Sequence, residues 1–202
     1  PKERDSVNWV GNSAWGKRQG YVDHKGLQSK FEPFLGLAVQ SNPSLKSVTI
    51  DSSSNRVNQG EVLRSLAGSE LLIVTSHSEG TGLPILEALG VGTNVLSTDV
   101  GITNLLSAVR VLPTDSTPKD FLDSYLEWRN NKFTPQECIS VFEGYLIYVN
   151  QQWDILQNKL RWVPNELQIL NELREGGIQR LINLLFWNLK FVLRWVQKSY
   201  AK

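Results

Sequence analysis

Glu79-Gly-Thr-Gly-Leu-Pro-Ile-Leu-Glu87 places two carboxylates between two short apolar runs, Leu71-Leu-Ile-Val-Thr75 and Asn94-Val-Leu-Ser-Thr98. Runs of that length, partly β-branched, predict buried strands, and the helix-sized gap between them, closed by Gly90 and Gly92, predicts a crossover helix. Pro84 suits a first helical turn, where its missing N–H costs nothing. Gly80 and Gly82 allow the backbone ahead of the helix to come close to a ligand. Glu79 then stands in the loop before the helix and Glu87 projects from its first turns. The free amides of Thr81, Gly82 and Leu83 point to the same place, where the helix dipole favours an anion.

The chemistry of such a place is specific. N–H groups and positive charge hold a diphosphate, whereas carboxylates accept pairs of hydrogen bonds from sugar hydroxyls without competing for the phosphate. Glu87 fits a ribose and Glu79 a second sugar, so the segment describes a nucleotide-sugar site. The plainer alternative makes Glu79 a helix cap and Glu87 a solvated helix residue. The mutual agreement of the glycines, the proline, both acids and the flanking strands favours the site.

Outward from this segment the chain alternates strand and helix, as a parallel sheet requires. Ser6 to Val10 reads as the first strand, Gly26 to Gln40 as a helix, Lys46 to Ile50 as the second strand and Val57 to Ala67 as a helix. Arg110 to Leu112 is a short fifth strand. Thr117-Pro-Lys-Asp120 and Thr134-Pro-Gln-Glu137 each offer a threonine N-cap, a first-turn proline and an acid at the third position, which marks two helix starts. The second helix is predicted from Pro135 to about Lys159, with Phe142, Leu146, Val149 and Trp153 on one face. The expected fold is α/β: a Rossmann-like parallel sheet of about five strands flanked by helices, with an all-helical C-terminal extension. Its predicted domains are residues 1–160 and a helical tail, 161–202.

The stretch from Ser78 to Gly101 resembles the donor-binding signature of retaining glycosyltransferases of the GT-B fold, the group 1 or family 4 type with a Glu-x7-Glu signature. Val10-Gly-Asn-Ser13 followed by Asp23-His-Lys-Gly26 is similar to the first strand and phosphate-binding loop of the same domain. Asp51-Ser-Ser-Ser-Asn-Arg-Val57 is similar to the stretch near the nucleotide base. The resemblance covers about residues 7 to 112. It implies two Rossmann-like domains, of which this would be the C-terminal one, and a missing N-terminal domain that binds the acceptor. It also implies transfer with retention, no cofactor and no metal. Catalytic roles fall to Glu79 and Lys25. Donor contacts fall to Asn12, Lys17, Arg18, Lys25, Arg56, Val57, Glu79, Gly80, Thr81, Gly82, Leu83 and Glu87. Asn12 stands where relatives often place a phosphate-pairing arginine, so Lys17 or Arg18, in an enlarged loop, is expected to supply that charge. Asn104 replaces a frequent glutamate, which leaves the sugar open.

Composition fits this reading. With 202 residues, 41% of them hydrophobic, the chain buries one good core plus accessory helices. It contains no methionine, the expectation being an excised or processed piece. Cys138 is alone, which excludes an intrachain disulfide and fits a reducing cytoplasm. His24 and His77 lack ligand-like spacing. Residues 31 to 158 carry seven basic and fourteen acidic side chains, so nucleic acid is not an expected partner. Residues 159 to 202 carry eight basic and three acidic ones. There Ile178 to Tyr200 reads as a basic amphipathic helix, with Arg180, Lys190 and Arg194 on its polar side. Two partners suit its apolar face: the missing domain or another subunit, which we favour, or an anionic membrane surface through residues 178–200. The expected location is cytoplasmic, with a peripheral place at the inner membrane face as the variant.

The function expected from all this is binding of a nucleoside diphosphate sugar for transfer of its sugar, a hexosyl group, to an acceptor hydroxyl in glycan or polysaccharide synthesis. The alternatives are a non-catalytic nucleotide-binding or interaction scaffold, and another GT-B enzyme such as a nucleotide-sugar epimerase.

Overall fold

A computed structural model describes residues 2–3, 5–54 and 57–160, with side chains through residue 155. Arg56 and the predicted Ile178 to Tyr200 helix lie outside the described residues. The chain divides into two compact units, Pro1–Tyr145 and Leu146–Lys202.

The first unit is built on five parallel strands: β1 (Ser6–Gly11), β2 (Lys46–Asp51), β3 (Leu71–Val74), β4 (Asn94–Thr98) and β5 (Val109–Leu112). Their order across the sheet is β2-β1-β3-β4-β5. The helices α1 (Glu32–Ser41), α2 (Gln59–Gly68), α3 (Leu83–Gly90), α4 (Pro118–Asn130) and α5 (Pro135–Leu160) connect and follow them. The expected Rossmann-like sheet is therefore present, with each strand within a residue of its predicted bounds.

Period-two alternation sends neighbouring residues of β3 to opposite faces. Leu72 and Val74 join Leu66, Ile85, Leu89, Val95 and Val109 on one side. Leu71 and Ile73 join Val7, Trp9, Phe31, Phe34, Phe121 and Tyr125 on the other. All four β3 side chains are buried, as in a central strand covered on both faces. Phe31, Phe34 and Phe121 are fully buried. Each such ring is worth about 1.5–3 kcal/mol relative to exposure. Cys138 is buried in the first cluster, and burial pushes its thiol up to about 11, as suits a packing residue.

Both threonine starts fold as expected. Thr117 accepts from the Asp120 amide and Asp120 reaches back to Thr117 N–H, and Thr134 pairs with Glu137 in the same manner. Helix α2 begins at Gln59 rather than Val57, because Asn58 and Glu61 form a third reciprocal cap. The predicted Gly26 to Gln40 helix opens on a wider turn, in which the Phe31 and Lys30 amides both donate to Gly26 O. Among the described residues no helix is long and apolar enough to cross a membrane.

Candidate functional site

In this strand order the chain direction of the connections reverses between β1 and β3, which leaves a crevice at their C-terminal ends. The loop from Asn12 to Gly26 leaves β1 there, and the loop from Thr75 to Gly82 leaves β3. Buried Thr75 fastens them together. Its Oγ1 accepts from Trp9 Nε1 at 3.1 Å and donates to Lys25 O at 2.7 Å, and the His77 amide donates to His24 O at 3.0 Å. Gly26 adopts φ +68, and a Cβ there would lie 2.4 Å from Thr75 O. Only glycine permits that approach.

The fastened loops bring the two predicted catalytic residues into contact. Lys25 Nζ donates to Glu79 Oε1 at 2.5 Å, and Ser76 Oγ donates to the same oxygen at 2.6 Å. Their side chains are 14% and 17% exposed, so the pair is shielded well beyond an ordinary surface ion pair. Lys25 therefore orients Glu79, in addition to standing where positive charge was expected.

Beyond Glu79 the backbone turns through Gly82 in the left-handed region, φ +75, into α3, with Pro84 in the first turn. Among the described residues no hydrogen bond takes up the amides of Gly80, Thr81, Gly82 and Leu83, as expected for groups ahead of and entering a helix. The turn after β4 backs this segment. A Cβ on Gly101, at φ +62, would lie 2.9 Å from Thr81 O. Asn104 belongs to this turn, donating to Asp99 Oδ1. Glu87 lies one turn into α3, half-buried, and accepts from Gln59 Nε2 at 3.1 Å. Burial pushes its carboxyl above the ordinary range, against the pull of that hydrogen bond. Val57 precedes the Asn58 cap of α2, whose first residue is that same Gln59.

The remaining expectations divide. Asn12 lies at the start of the loop, where its Oδ1 accepts from the Ala14 amide and its carbonyl from the Trp15 amide. Lys17 and Arg18 are exposed in a short 3-10 turn between two left-handed glycines, Gly16 and Gly20, with no ion pair among the described residues.

Two features escaped sequence reasoning. At the ends of β1 and β2, Asp51 accepts from the Ser13 amide and hydroxyl and from the Ser53 amide and hydroxyl. Burial raises its carboxyl, but these four donors outweigh it and bring it down to about 2. The run of serines after Asp51 was the available signal. The second feature is aromatic. Trp15 and Tyr21 lie against His24, with ring centres 4.6 and 5.1 Å from it, and Lys25 Nζ stands 5.4 Å from the Trp15 ring centre.

Comparison with known proteins agrees with this architecture. The profile of the family "Glycosyl transferases group 1" matches residues 53–106, which include Glu79, the α3 amides and Glu87. No curated protein sequence matches the chain. Among solved structures, a chain of the GtfA/B complex shares 17% identity at TM-score 0.56, covering 79% of this chain and 37% of its own. The pneumococcal O-GlcNAc transferase GtfA, solved with UDP and GlcNAc, shares 14% identity at TM-score 0.57, covering 80% and 37%. The C-terminal domain of LpcC, a glycosyl transferase group 1 family protein from Francisella tularensis, shares 13% identity at TM-score 0.52, covering 75% and 87%. The chain thus spans little more than a third of the first two and most of the isolated LpcC domain. The fold of this chain is a Rossmann-like parallel sheet flanked by helices, and it matches the fold found in these glycosyltransferase structures.

Proposed function

We propose that this chain is the donor-binding domain of a glycosyltransferase that takes a nucleoside diphosphate sugar and passes its sugar to an acceptor hydroxyl with retention. The observation that carries this is the shielded Lys25–Glu79 pair beside the unpaired amides of residues 80–83, at the crevice between β1 and β3. The amides and the α3 dipole would receive the diphosphate, and Lys25 would add positive charge to it. Glu79, held by Lys25 and Ser76, would accept from hydroxyls of the donor sugar. Glu87, held by Gln59, would accept from the ribose.

In the transfer step the acceptor hydroxyl oxygen bonds to the anomeric carbon as the sugar–phosphate bond breaks; the electron pair of that bond remains on the diphosphate, whose leaving oxygen takes up the acceptor proton. Fixed donors already aimed at that oxygen lower the barrier without reorganising, which is electrostatic catalysis of the preorganised kind. Positive charge comes from the protein, so the reading calls for no metal and no cofactor. Lys17 and Arg18 are further candidates for the diphosphate, Arg56 and Val57 for the base. An N-terminal domain outside this chain would carry the acceptor. The proposed location is the cytoplasm, or the inner face of its membrane through residues 178–200.

Isothermal calorimetry with UDP, GDP, ADP and their hexose conjugates tests the proposal. At least one nucleoside diphosphate should bind. Glu87→Ala should weaken the free diphosphate and its sugar conjugate alike, by about 1–3 kcal/mol, the value of a charged hydrogen bond. Glu79→Ala should weaken mainly the conjugate. Absence of binding by every nucleotide would leave the scaffold alternative.

A further inference from the structure

The enlarged loop after β1 holds two large rings that the core does not use. Trp15 is 50% exposed and Tyr21 54% exposed, although both are ordered by contacts within the loop. His24, itself buried, is the base on which they rest: its Nε2 lies 2.9 Å from Ser78 Oγ and 3.2 Å from Ser78 O, which ties it to the β3 loop. Tyr21 lies over the left-handed Gly16, where an added Cβ would come 3.1 Å from its ring, and the Tyr21 amide donates to Gly16 O. The rings are thus fixed before any ligand arrives, which reduces the ordering cost of binding.

What surrounds the rings selects the ligand. Lys25 Nζ lies over the Trp15 ring, 5.4 Å from its centre, and beyond it is Glu79. An apolar flat surface bordered by a cation and a carboxylate matches a pyranose, whose axial C–H groups form an apolar face and whose hydroxyls radiate from the rim. A nucleobase would be a poorer match, because the neighbouring carboxylate and ammonium suit hydroxyls on a ring edge. We propose that the exposed faces of Trp15 and Tyr21 form a pyranose-stacking subsite contiguous with the Lys25–Glu79 pair. This inference rests on the donor-site reading for its orientation, since the same pair would hold the sugar's hydroxyls. The pyranose comes either from the donor conjugate or from the acceptor, and the two sources separate by experiment.

The test follows the indole N–H signal of Trp15 in 15N-labelled protein, assigned by its loss in Trp15→Leu. Methyl α-pyranosides of glucose, mannose and N-acetylglucosamine, the free UDP and GDP, and UDP-glucose, UDP-N-acetylglucosamine and GDP-mannose are titrated separately. One or more of the sugar ligands should move this signal. Trp15→Ala should weaken that sugar ligand about tenfold, as an aromatic contact near 1.4 kcal/mol requires. Trp15→Leu, which keeps apolar bulk against His24 but lacks a flat face, should do the same. The 90% exposed Val22 supplies the control, Val22→Ala, which should change nothing. A loss confined to the sugar conjugates, relative to UDP or GDP, identifies the donor sugar. A loss seen with the methyl pyranosides but not with the conjugates identifies the acceptor. If no sugar moves the Trp15 signal, or if both Trp15 variants retain wild-type sugar affinity, the subsite is refuted. Pyranoside binding without any nucleotide binding would refute the donor-site reading and leave this subsite standing, whereas nucleotide binding with indifferent Trp15 variants would do the reverse.

Discussion

At Gly26 the loop after β1 packs directly against Thr75, and replacement of this glycine by alanine isolates what that approach is worth. Two costs act there. Left-handed backbone at φ +68 costs an L-residue about 1–2 kcal/mol. An added Cβ would also sit 2.4 Å from Thr75 O and 3.0 Å from Thr75 Cβ, both held by a fully buried residue directly after β3, so the Asn12 to Gly26 loop must shift instead. Overpacking of that kind adds about 1–3 kcal/mol. Alanine returns about 0.4–1 kcal/mol by restricting the unfolded chain. The expected loss for Gly26→Ala is then about 2–4 kcal/mol. Gly20→Ala provides the control, because Gly20 shares a positive φ of +81 but has nothing within 4 Å of its added Cβ. It should lose only about 1 kcal/mol, the backbone cost less the entropic return. Urea denaturation of both variants measures the difference. Nucleotide affinity should fall in Gly26→Ala, since the displaced loop carries Lys25 away from Glu79, and stay near wild type in Gly20→Ala. Equal destabilisation of the two variants would show that the close approach to Thr75 contributes nothing.

Other consequences follow from the charged groups and the tail. Glu87→Gln should raise stability at pH 7 while weakening nucleotide binding: burial lifts the Glu87 carboxyl above its ordinary 4.5, so the folded state holds the extra proton and stability falls as pH rises through that window. Thermal unfolding with and without UDP or GDP reads both effects, and a destabilised Glu87→Gln would refute the burial argument. Asp51 has the opposite sign, its carboxyl held near 2 instead of the ordinary 3.8. Its contribution, about 1 kcal/mol after allowance for solvent screening, is complete above pH 3.8 and disappears as pH falls through 2, so Asp51→Asn should flatten acid unfolding in that interval. For the tail, vesicle co-sedimentation should require anionic lipid and weaken when Arg180, Lys190 and Arg194 are neutralised, if a membrane surface is its partner. Equal pelleting on neutral and anionic vesicles would remove that partner.

What could be read from the sequence was what depends on near neighbours in the chain. Thr117 and Thr134 cap helices through residues three positions away, and Leu71 to Val74 is apolar throughout because β3 is covered on both faces. Asn58 and Glu61 carry the same capping signal, which places the α2 start at Gln59 once it is recognised. Contacts between distant segments were not legible. Lys25 and Glu79 were both candidates, but their direct pairing depends on the Gly26–Thr75 approach, between segments distant in the chain. The wide turn at Gly26 has the same origin. Trp15 and Tyr21 carry no periodic signal, because their contact with His24 is organised by left-handed glycines within an irregular loop.

If the diphosphate of a nucleotide sugar sits on the α3 N-terminus beside Lys25 and Glu79, titration of the 15N-labelled chain with UDP and GDP will register it in the backbone amide shifts. Saturable shifts should be largest at Gly80, Thr81, Gly82 and Leu83, extend to Lys25, and disappear for inorganic sulfate at matched ionic strength. Shifts that are absent, or that centre on residues away from the β1–β3 crevice, would contradict it.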